Sequence, residues 1–384
     1  MKYIKLVLKS ARRSKRRTAL TMMSVAIAVF LFASLKAVLD GFDAVAAASS
    51  SMRVVTVRST SMIFSMPMSH VEAIKSTPGV DDATWANWFG GIYKDPKNFF
   101  GQFAVDPESY LRMYPEVILS PEEKQAFMTD RTGCIVGDGL VKKYGWHVGD
   151  KIVLTPGIPI YGTQDYSFTI RGIYKAGSSA VDNQSMLFHW KYVDERSLVA
   201  GQVGWIVTKV SDPDRATQVA SAIDGKFSNS PFETKTDTEK AFSAQFANML
   251  GNLNVLLGSV ALAVVITTLF VAGNTMAMSV RERTTEVAVM RTLGFPSGTI
   301  FGLVVGEGLF VAVVGGAIGA ALARLVVNGE ALGLVGGFIP AFGVGNMNMI
   351  IGLGLSALIG VLAALIPATI ASRLKIVDAL RRVA

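Results

Sequence analysis

Four long apolar runs, unevenly spaced, limit what this chain can fold into. They occupy residues 19–39, 253–278, 298–323 and 349–371. At about 1.5 Å per residue, each is long enough to cross a hydrocarbon core of roughly 30 Å. No charged residue falls between Lys240 and Arg281 or between Glu330 and Arg373. The first run carries only Lys36, near its far end, where a long side chain can reach the interface. The third contains a single acid, Glu307. The first run is too long for the core of a signal peptide, and the KAVLDGF that closes it is a poor cleavage site, so it reads as an uncleaved anchor. Charged residues make up 17% of the chain, below the quarter or so usual for soluble domains, and the mean hydropathy is +0.41. The expected fold is therefore a multi-span α-helical membrane protein with about four transmembrane helices.

Lys and Arg near the run ends set the orientation. Residues 1–18 carry Lys2, Lys5, Lys9, Arg12, Arg13, Lys15, Arg16 and Arg17 and no acid. A nucleic-acid tail would also be basic, but a juxtamembrane anchor accounts for the position as well as the sign. Residues 279–297 add Arg281, Arg283 and Arg291, and residues 372–384 add Arg373, Lys375, Arg381 and Arg382. Residues 324–348 hold only Arg324, at the edge, with Glu330. The expectation is a multi-pass protein of the cell (inner) membrane, with both termini and 279–297 cytoplasmic. Residues 40–252 and 324–348 then face outward.

Residues 40–252 alternate strand and helix signals, which predicts an α+β extracytoplasmic domain. MRVVTVR (52–58), KIVLT (151–155), SFTIRGIY (167–174) and GWIVTKV (204–210) read as strands. Ser69 is a candidate cap for a short helix, and Ser120, followed by Glu122 and Glu123, for another. Gly145 is positioned to close a helix over 139–144. The single cysteine, Cys134, excludes an internal disulfide and reads as a small buried side chain. His70, His147 and His189 are dispersed, without metal-site spacing. Trp85, Trp88, Phe89, Tyr93, Phe99 and Phe100 form an aromatic cluster, either core or a surface for an apolar ligand or partner. No substrate-binding residue can be named.

Residues 279–294 read SVRERTTEVAVMRTLG. Val280, Val287, Met290 and Leu293 recur at near-helical spacing, with Arg281, Arg283, Glu286 and Arg291 as the polar surface. Gly294 suits the position after the helix, Pro296 enforces a stop, and Ser297 is a candidate cap for the next helix. Such a helix either lies on lipid or docks on a cytoplasmic subunit. Within the third run, Gly302 and Gly306 are four apart, as are Gly315 and Gly319, a spacing that lets helix backbones approach closely.

The RER-x-x-E-x-A-x-x-R-x-L-G pattern just after a span resembles the signature of the FtsX-like or MacB-like permeases, membrane subunits of ABC transporters. The basic N-terminus, the stretch CIVGDGLVKKYGWHVGDKIVLT (134–155), Glu307 in the third span and the closing PATIASRLKIVDALR (367–381) extend the resemblance. One departure is Ile376-Val377, where many members have a proline-containing step. The resemblance implies that residues 40–252 form a MacB-like core domain and that 279–297 carry a coupling helix. The implied ATPase-coupling residues are Arg281, Glu282, Arg283 and Glu286, followed by Val287, Met290, Arg291 and Gly294. It also implies a cytoplasmic ABC ATPase as partner, pairing of two permease copies, and an extracytoplasmic adaptor as a further candidate partner.

The chain contains no G-x-x-x-x-G-K-[ST] loop, so it is not expected to hydrolyse ATP. ATP and Mg²⁺ belong on the partner subunit, with no cofactor in this chain. The leading expectation is an ABC permease subunit for export or extracytoplasmic handling of an amphiphilic substrate. The alternatives are force transmission to an outer partner without transport, and a membrane-tethered enzyme, for which no catalytic constellation stands out.

Overall fold

The computed structural model describes residues 15–61, 63–178, 180–249, 253–328 and 343–374. The expectations for residues 1–14, 329–342 and 375–384 lie outside these. The chain divides into two compact units, one helical and one built on a sheet, with the division after Leu39 and again near Gly251.

The sheet unit follows α1 (Lys15–Ala48), whose last turns already belong to it. Its elements begin with β1 (Arg53–Arg58), β2 (Met66–Pro67), α2 (Ser69–Lys75), β3 (Val80–Trp88) and β4 (Gly101–Val105). Next come α3 (Pro107–Met113), β5 (Val117–Ile118), α4 (Pro121–Thr129), β6 (Gly133–Gly137), α5 (Asp138–Tyr144) and β7 (Lys151–Leu154). The unit continues through β8 (Tyr166–Ala176), β9 (Ser185–His189), α6 (Trp190–Asp194), β10 (Gln202–Val203) and β11 (Trp205–Val210). It closes with α7 (Ala216–Phe227), β12 (Thr234–Thr238) and α8 (Glu239–Met249). Ten strands form one mixed sheet in the order β12-β1-β11-β3-β4-β9-β6-β8-β5, with β7 on β8. The β4–β9 and β6–β8 pairs are parallel, and the other pairs are antiparallel.

Local chemistry accounts for several boundaries. Ser120 Oγ accepts the Glu123 N–H at 3.2 Å while Glu123 Oε2 accepts the Ser120 N–H at 3.1 Å, a reciprocal cap on α4. Glu123 Oε1 also accepts the Ile173 N–H at 2.9 Å and so fastens α4 to β8. Gly145 ends α5 with φ +68°, a left-handed value that a side chain would strain. Ser69 is not a cap: it is the first residue of α2, after Met68, and no side chain caps that end.

Apolar clusters fill both faces of the sheet. Phe89, Tyr93 and Phe100 lie in one cluster with Phe168 and Phe188. Trp85 lies in a second on the same face, with Ile206 and α7, while a third with Ala86, Val105 and Ile135 covers the opposite face. The buried members of the aromatic cluster are therefore core, and only Trp88 and Phe99 stay half-buried. Cys134 is fully buried, and burial pushes its thiol up. In β8, the pairing with β6 skips Arg171 between Ile170 and Gly172. That bulge flips the strand, so Phe168 and Ile170 enter the first cluster while Tyr174 enters the third.

The helical unit comprises the first part of α1 with α9 (Leu253–Glu282), α10 (Thr284–Thr292), α11 (Ser297–Val327) and α12 (Asn346–Ser372). Four of these helices, α1, α9, α11 and α12, are long and apolar enough to cross a membrane. The protein thus combines four membrane-length helices with an α+β domain.

Candidate functional site

The loop between the second and third spans folds as a break, a short helix and a turn. α9 runs past the end of its apolar run to Glu282, so Arg281 and Glu282 sit in its last turn and not on a separate helix. Arg283 occupies the break, as the N-terminal flanking residue of α10. Gly294 follows α10 with φ +88°, the conformation a chain reversal needs there. Pro296, not Ser297, flanks the start of α11, and Ser297 Oγ instead accepts a hydrogen bond from Arg291 Nη1 at 2.6 Å.

α10 has an inner and an outer face. Val287 and Ala288 are buried, and Val287 packs with Val280 of α9, Ile300 of α11 and Ala371 of α12. Met290 is half-buried against the same cluster. These two apolar candidates therefore seat the helix on its own chain. Glu286, Val289 and Leu293, spaced three and four apart, share the other face, and all three are exposed. Leu293 is 72% exposed, a large value for an apolar side chain at the end of a packed helix.

Charge fixes this corner. Arg283 Nη1 donates to Glu307 Oε2 at 2.7 Å, with both side chains mostly buried. A carboxylate inside a span is expensive unless paired, and this contact supplies a partner. Arg17 of α1 pairs with Glu282 at 2.6 Å, and Arg291 Nη2 donates to the Leu374 carbonyl at 3.4 Å. The loop's cations thus reach α11 and the end of α12, and a cation of α1 reaches back to α9. Sequence reasoning named Arg17, Glu282, Arg283, Arg291 and Glu307 but none of these pairings. The Arg17–Glu282 pair spans 265 residues, and no spacing rule finds it.

The small residues of α11 do not behave alike. A Cβ on Gly319 would collide with the Ala26 carbonyl of α1, and one on Gly315 would come within 2.6 Å of the Met22 carbonyl. Gly316 faces Ser356 of α12 in the same way, and Gly308 lies 2.8 Å by the same measure from the Gly360 carbonyl. Gly302 has nothing within 4 Å, and Gly306 is half-buried. Close backbone approach therefore belongs to the later glycines of the helix. Among the described residues, no group of three or more His, Cys, Asp or Glu side chains could hold a metal ion.

Two family models match separate parts of the chain. The MacB-like periplasmic core domain family matches residues 18–226, and the FtsX-like permease C-terminal family matches residues 258–376. An uncharacterized ABC transporter permease of Methanocaldococcus jannaschii is 24% identical over 337 residues, covering 83% of this chain and 82% of that protein. The macrolide export ATP-binding/permease protein MacB of Campylobacter fetus is 26% identical over 220 residues, 56% of this chain. The match spans about a third of that relative's length, 34%. The crystal structure of the periplasmic region of MacB from Actinobacillus actinomycetemcomitans is similar to 52% of this chain and 93% of its own, with a TM-score of 0.36 and 9% identity. With a core-domain match over more than half the chain and a permease match across the last three membrane-length helices, the chain belongs to the MacB-like, FtsX-like family of ABC transporter permeases, as a permease subunit.

Proposed function

We propose that α10 is the docking helix for a separate cytoplasmic ATP-binding subunit, and that the chain turns that subunit's ATP cycle into movement of its outer domain. The observation that carries this reading is the two-faced seating of α10. Val287 and Ala288 are held by the chain's own helices, while Glu286, Val289 and Leu293 are left on the outside. A helix gripped on one side and pinned at its start by Arg283–Glu307 moves as a rigid body with α11. The same reading places the described part of 279–297 and both termini in the cytoplasm. It also includes a pair of permease copies, and an outer adaptor as a further partner. ATP and Mg²⁺ would sit on the ATP-binding subunit. An amphiphilic substrate handled at the outer face fits a chain whose relatives include a macrolide exporter by name.

The test is Glu286→Lys in the full-length permease, purified from washed membranes with its bound subunits. Permease should remain in the membrane at wild-type amount while co-purifying ATPase falls. Losing a charge-assisted interface contact costs roughly 2–5 kcal/mol, which at mid-range is a few hundredfold in affinity. Unchanged ATPase retention and unchanged stimulation of hydrolysis would remove Glu286 from the interface and return α10 to the alternative of lying on lipid.

A further inference from the structure

Among the described residues, the sheet unit is joined to the spans by the end of α1, which leads into β1, and by α8, which precedes α9. Both converge on one ion pair, Arg53 with Glu239. Arg53, the first residue of β1, is 4% exposed. Its Nε donates to Glu239 Oε2 at 2.9 Å, and Glu239 is the first residue of α8. Its Nη1 and Nη2 reach Glu116 at 3.2 and 3.1 Å, and Nη1 also reaches the Met113 carbonyl at 3.0 Å. The Tyr114 ring lies 4.5 Å from its Cζ, and the Tyr114 hydroxyl donates to Glu239 Oε1 at 3.2 Å. Glu239 Oε2 further accepts the Ser50 N–H at 2.8 Å, and Ser49 and Ser243 meet through their hydroxyls at 3.3 Å. Glu239 therefore touches the segment leaving α1, the start of α8 and, through Arg53 and Tyr114, the end of α3.

We infer that Arg53 and Glu239 are positioning residues that lock the two connections to each other and to the sheet, so that displacement of the spans reaches the outer domain as rotation of one body. Simple stabilisation is a weaker account of this chemistry. Two carboxylates share one cation, so the cluster carries a net negative charge, and the desolvation of buried ion pairs offsets much of their attraction. What such a cluster supplies is direction: a guanidinium fork fixes the angle of each group it holds. Glu116 differs from Glu239 in this respect. It binds the same cation from the loop between α3 and β5, within the sheet unit, and holds neither connection.

This inference rests on the ATP-driven movement proposed above, and the experiment separates the two. The permease is purified with its ATPase in lipid nanodiscs, in a Cys134→Ser background, with spin labels replacing Leu20 of α1 and the exposed His147 of the outer domain. Label-to-label distance distributions are recorded without nucleotide and with ADP–vanadate. The unsubstituted protein should shift between the two. Glu239→Gln should lose at least two-thirds of that shift while ATP hydrolysis stays within twofold. Glu116→Gln should keep the shift, and Glu239→Asp should restore part of it. Tryptophan fluorescence melting identifies any variant that has lost its fold. All five tryptophans lie in the outer domain, so the signal is specific to it. If Glu239→Gln proves unstable, Arg53→Lys replaces it, and it should lose the shift by the same margin because an ammonium cannot hold both carboxylates in the fork. A folded Glu239→Gln or Arg53→Lys variant with a wild-type shift overturns the inference. Absence of a shift in the unsubstituted protein overturns the coupling reading, and this inference with it.

Discussion

Arg283 and Glu307 meet at 2.7 Å, joining the break between α9 and α10 to a carboxylate about three turns inside α11. Each charge makes the other tolerable where it stands. Removing one partner leaves the other partly buried, at a cost of roughly 1.5–3 kcal/mol for a hydrogen bond to a charged group. Glu307→Gln keeps an acceptor for Arg283 and should retain most ATPase coupling. Glu307→Leu and Arg283→Leu should each lower coupled ATPase activity several-fold, and the double leucine variant should lose less than the sum of the two. Additive losses in this double-mutant cycle would mean that the pair does not act as a unit.

Gly319→Ala and Gly302→Ala add the same methyl group in different surroundings. At Gly319 the new atom meets the Ala26 backbone, which cannot step aside cheaply, whereas at Gly302 it meets open space. Gly319→Ala should destabilise the helical unit by about 1–3 kcal/mol, the usual cost of overpacking. Gly302→Ala should leave it unchanged or slightly firmer, because alanine favours the helix. Thermal aggregation of the detergent-solubilised protein distinguishes them, and equal midpoints would contradict the Ala26 contact.

Acid should loosen the outer domain in two stages. Burial lowers the affinity of the His70 and His189 rings for protons, only partly offset by their hydrogen bonds to the Phe232 and Phe127 carbonyls. An unfolded chain takes up these protons near pH 6.5, before the folded domain does. Their contribution is therefore full above about pH 6.5 and is lost as pH falls through the lowered folded values, at no more than about 1.4 kcal/mol per pH unit for each ring. For Asp130, burial acts upward, but Arg171 and Thr132 outweigh it and hold the carboxyl below its ordinary range. Asp82 with Arg112, and Glu123 with the Ile173 and Ser120 amides, follow the same pattern. These three contributions are full above about pH 4 and are lost below it. Asp182 and Asp194, both half-buried, are raised by desolvation and act in the opposite sense, favouring the folded domain in acid. Tryptophan fluorescence melting midpoints of the full-length protein should fall between pH 7 and pH 5. His189→Gln, which can still donate to Phe127, should flatten that slope, and an unchanged slope would show that His189 is not responsible.

The proposed orientation has a direct test in intact cells. In a Cys134→Ser background, His147→Cys should react with a membrane-impermeant thiol reagent, since His147 is strongly exposed in the outer domain. Thr285→Cys, on the exposed face of α10, should react only after permeabilisation. Reaction of Thr285→Cys from outside would invert the topology.

What could be read from the sequence was local. Ser120 and Glu123 lie three residues apart, so their mutual cap is written in the order of the chain. Gly145 and Gly294 mark helix ends because a left-handed turn favours a residue without a side chain. Distant relationships were not legible. SFTIRGIY alternates without interruption, yet the bulge at Arg171 sends its two halves to opposite faces. Glu307 was conspicuous as a lone acid, but its partner lies 24 residues away across two turns of the path. Val287 and Met290 had the right spacing for an apolar stripe, and spacing alone did not say whether the stripe faced a partner or the chain's own helices. Arg53 is inconspicuous within MRVVTVR, because nothing near it announces a carboxylate 186 residues later.

The position of β1 in the sheet has a consequence for biogenesis. Its two neighbours are β11 and β12, so the strand made first is flanked by the two made last. These partners follow β1 by roughly 150–180 residues, or on the order of 10–35 s of synthesis at about 5–20 residues per second. Throughout that interval the nascent chain presents VVTV with both edges open, a segment suited to pairing with other extended chains. Arg53 and Arg58 bracket it, and flanking charge is the usual protection for such a strand. Flanking charge of this kind predicts that a chain with Arg58 replaced by Val partitions into aggregates before the domain is complete, even where the finished protein melts normally.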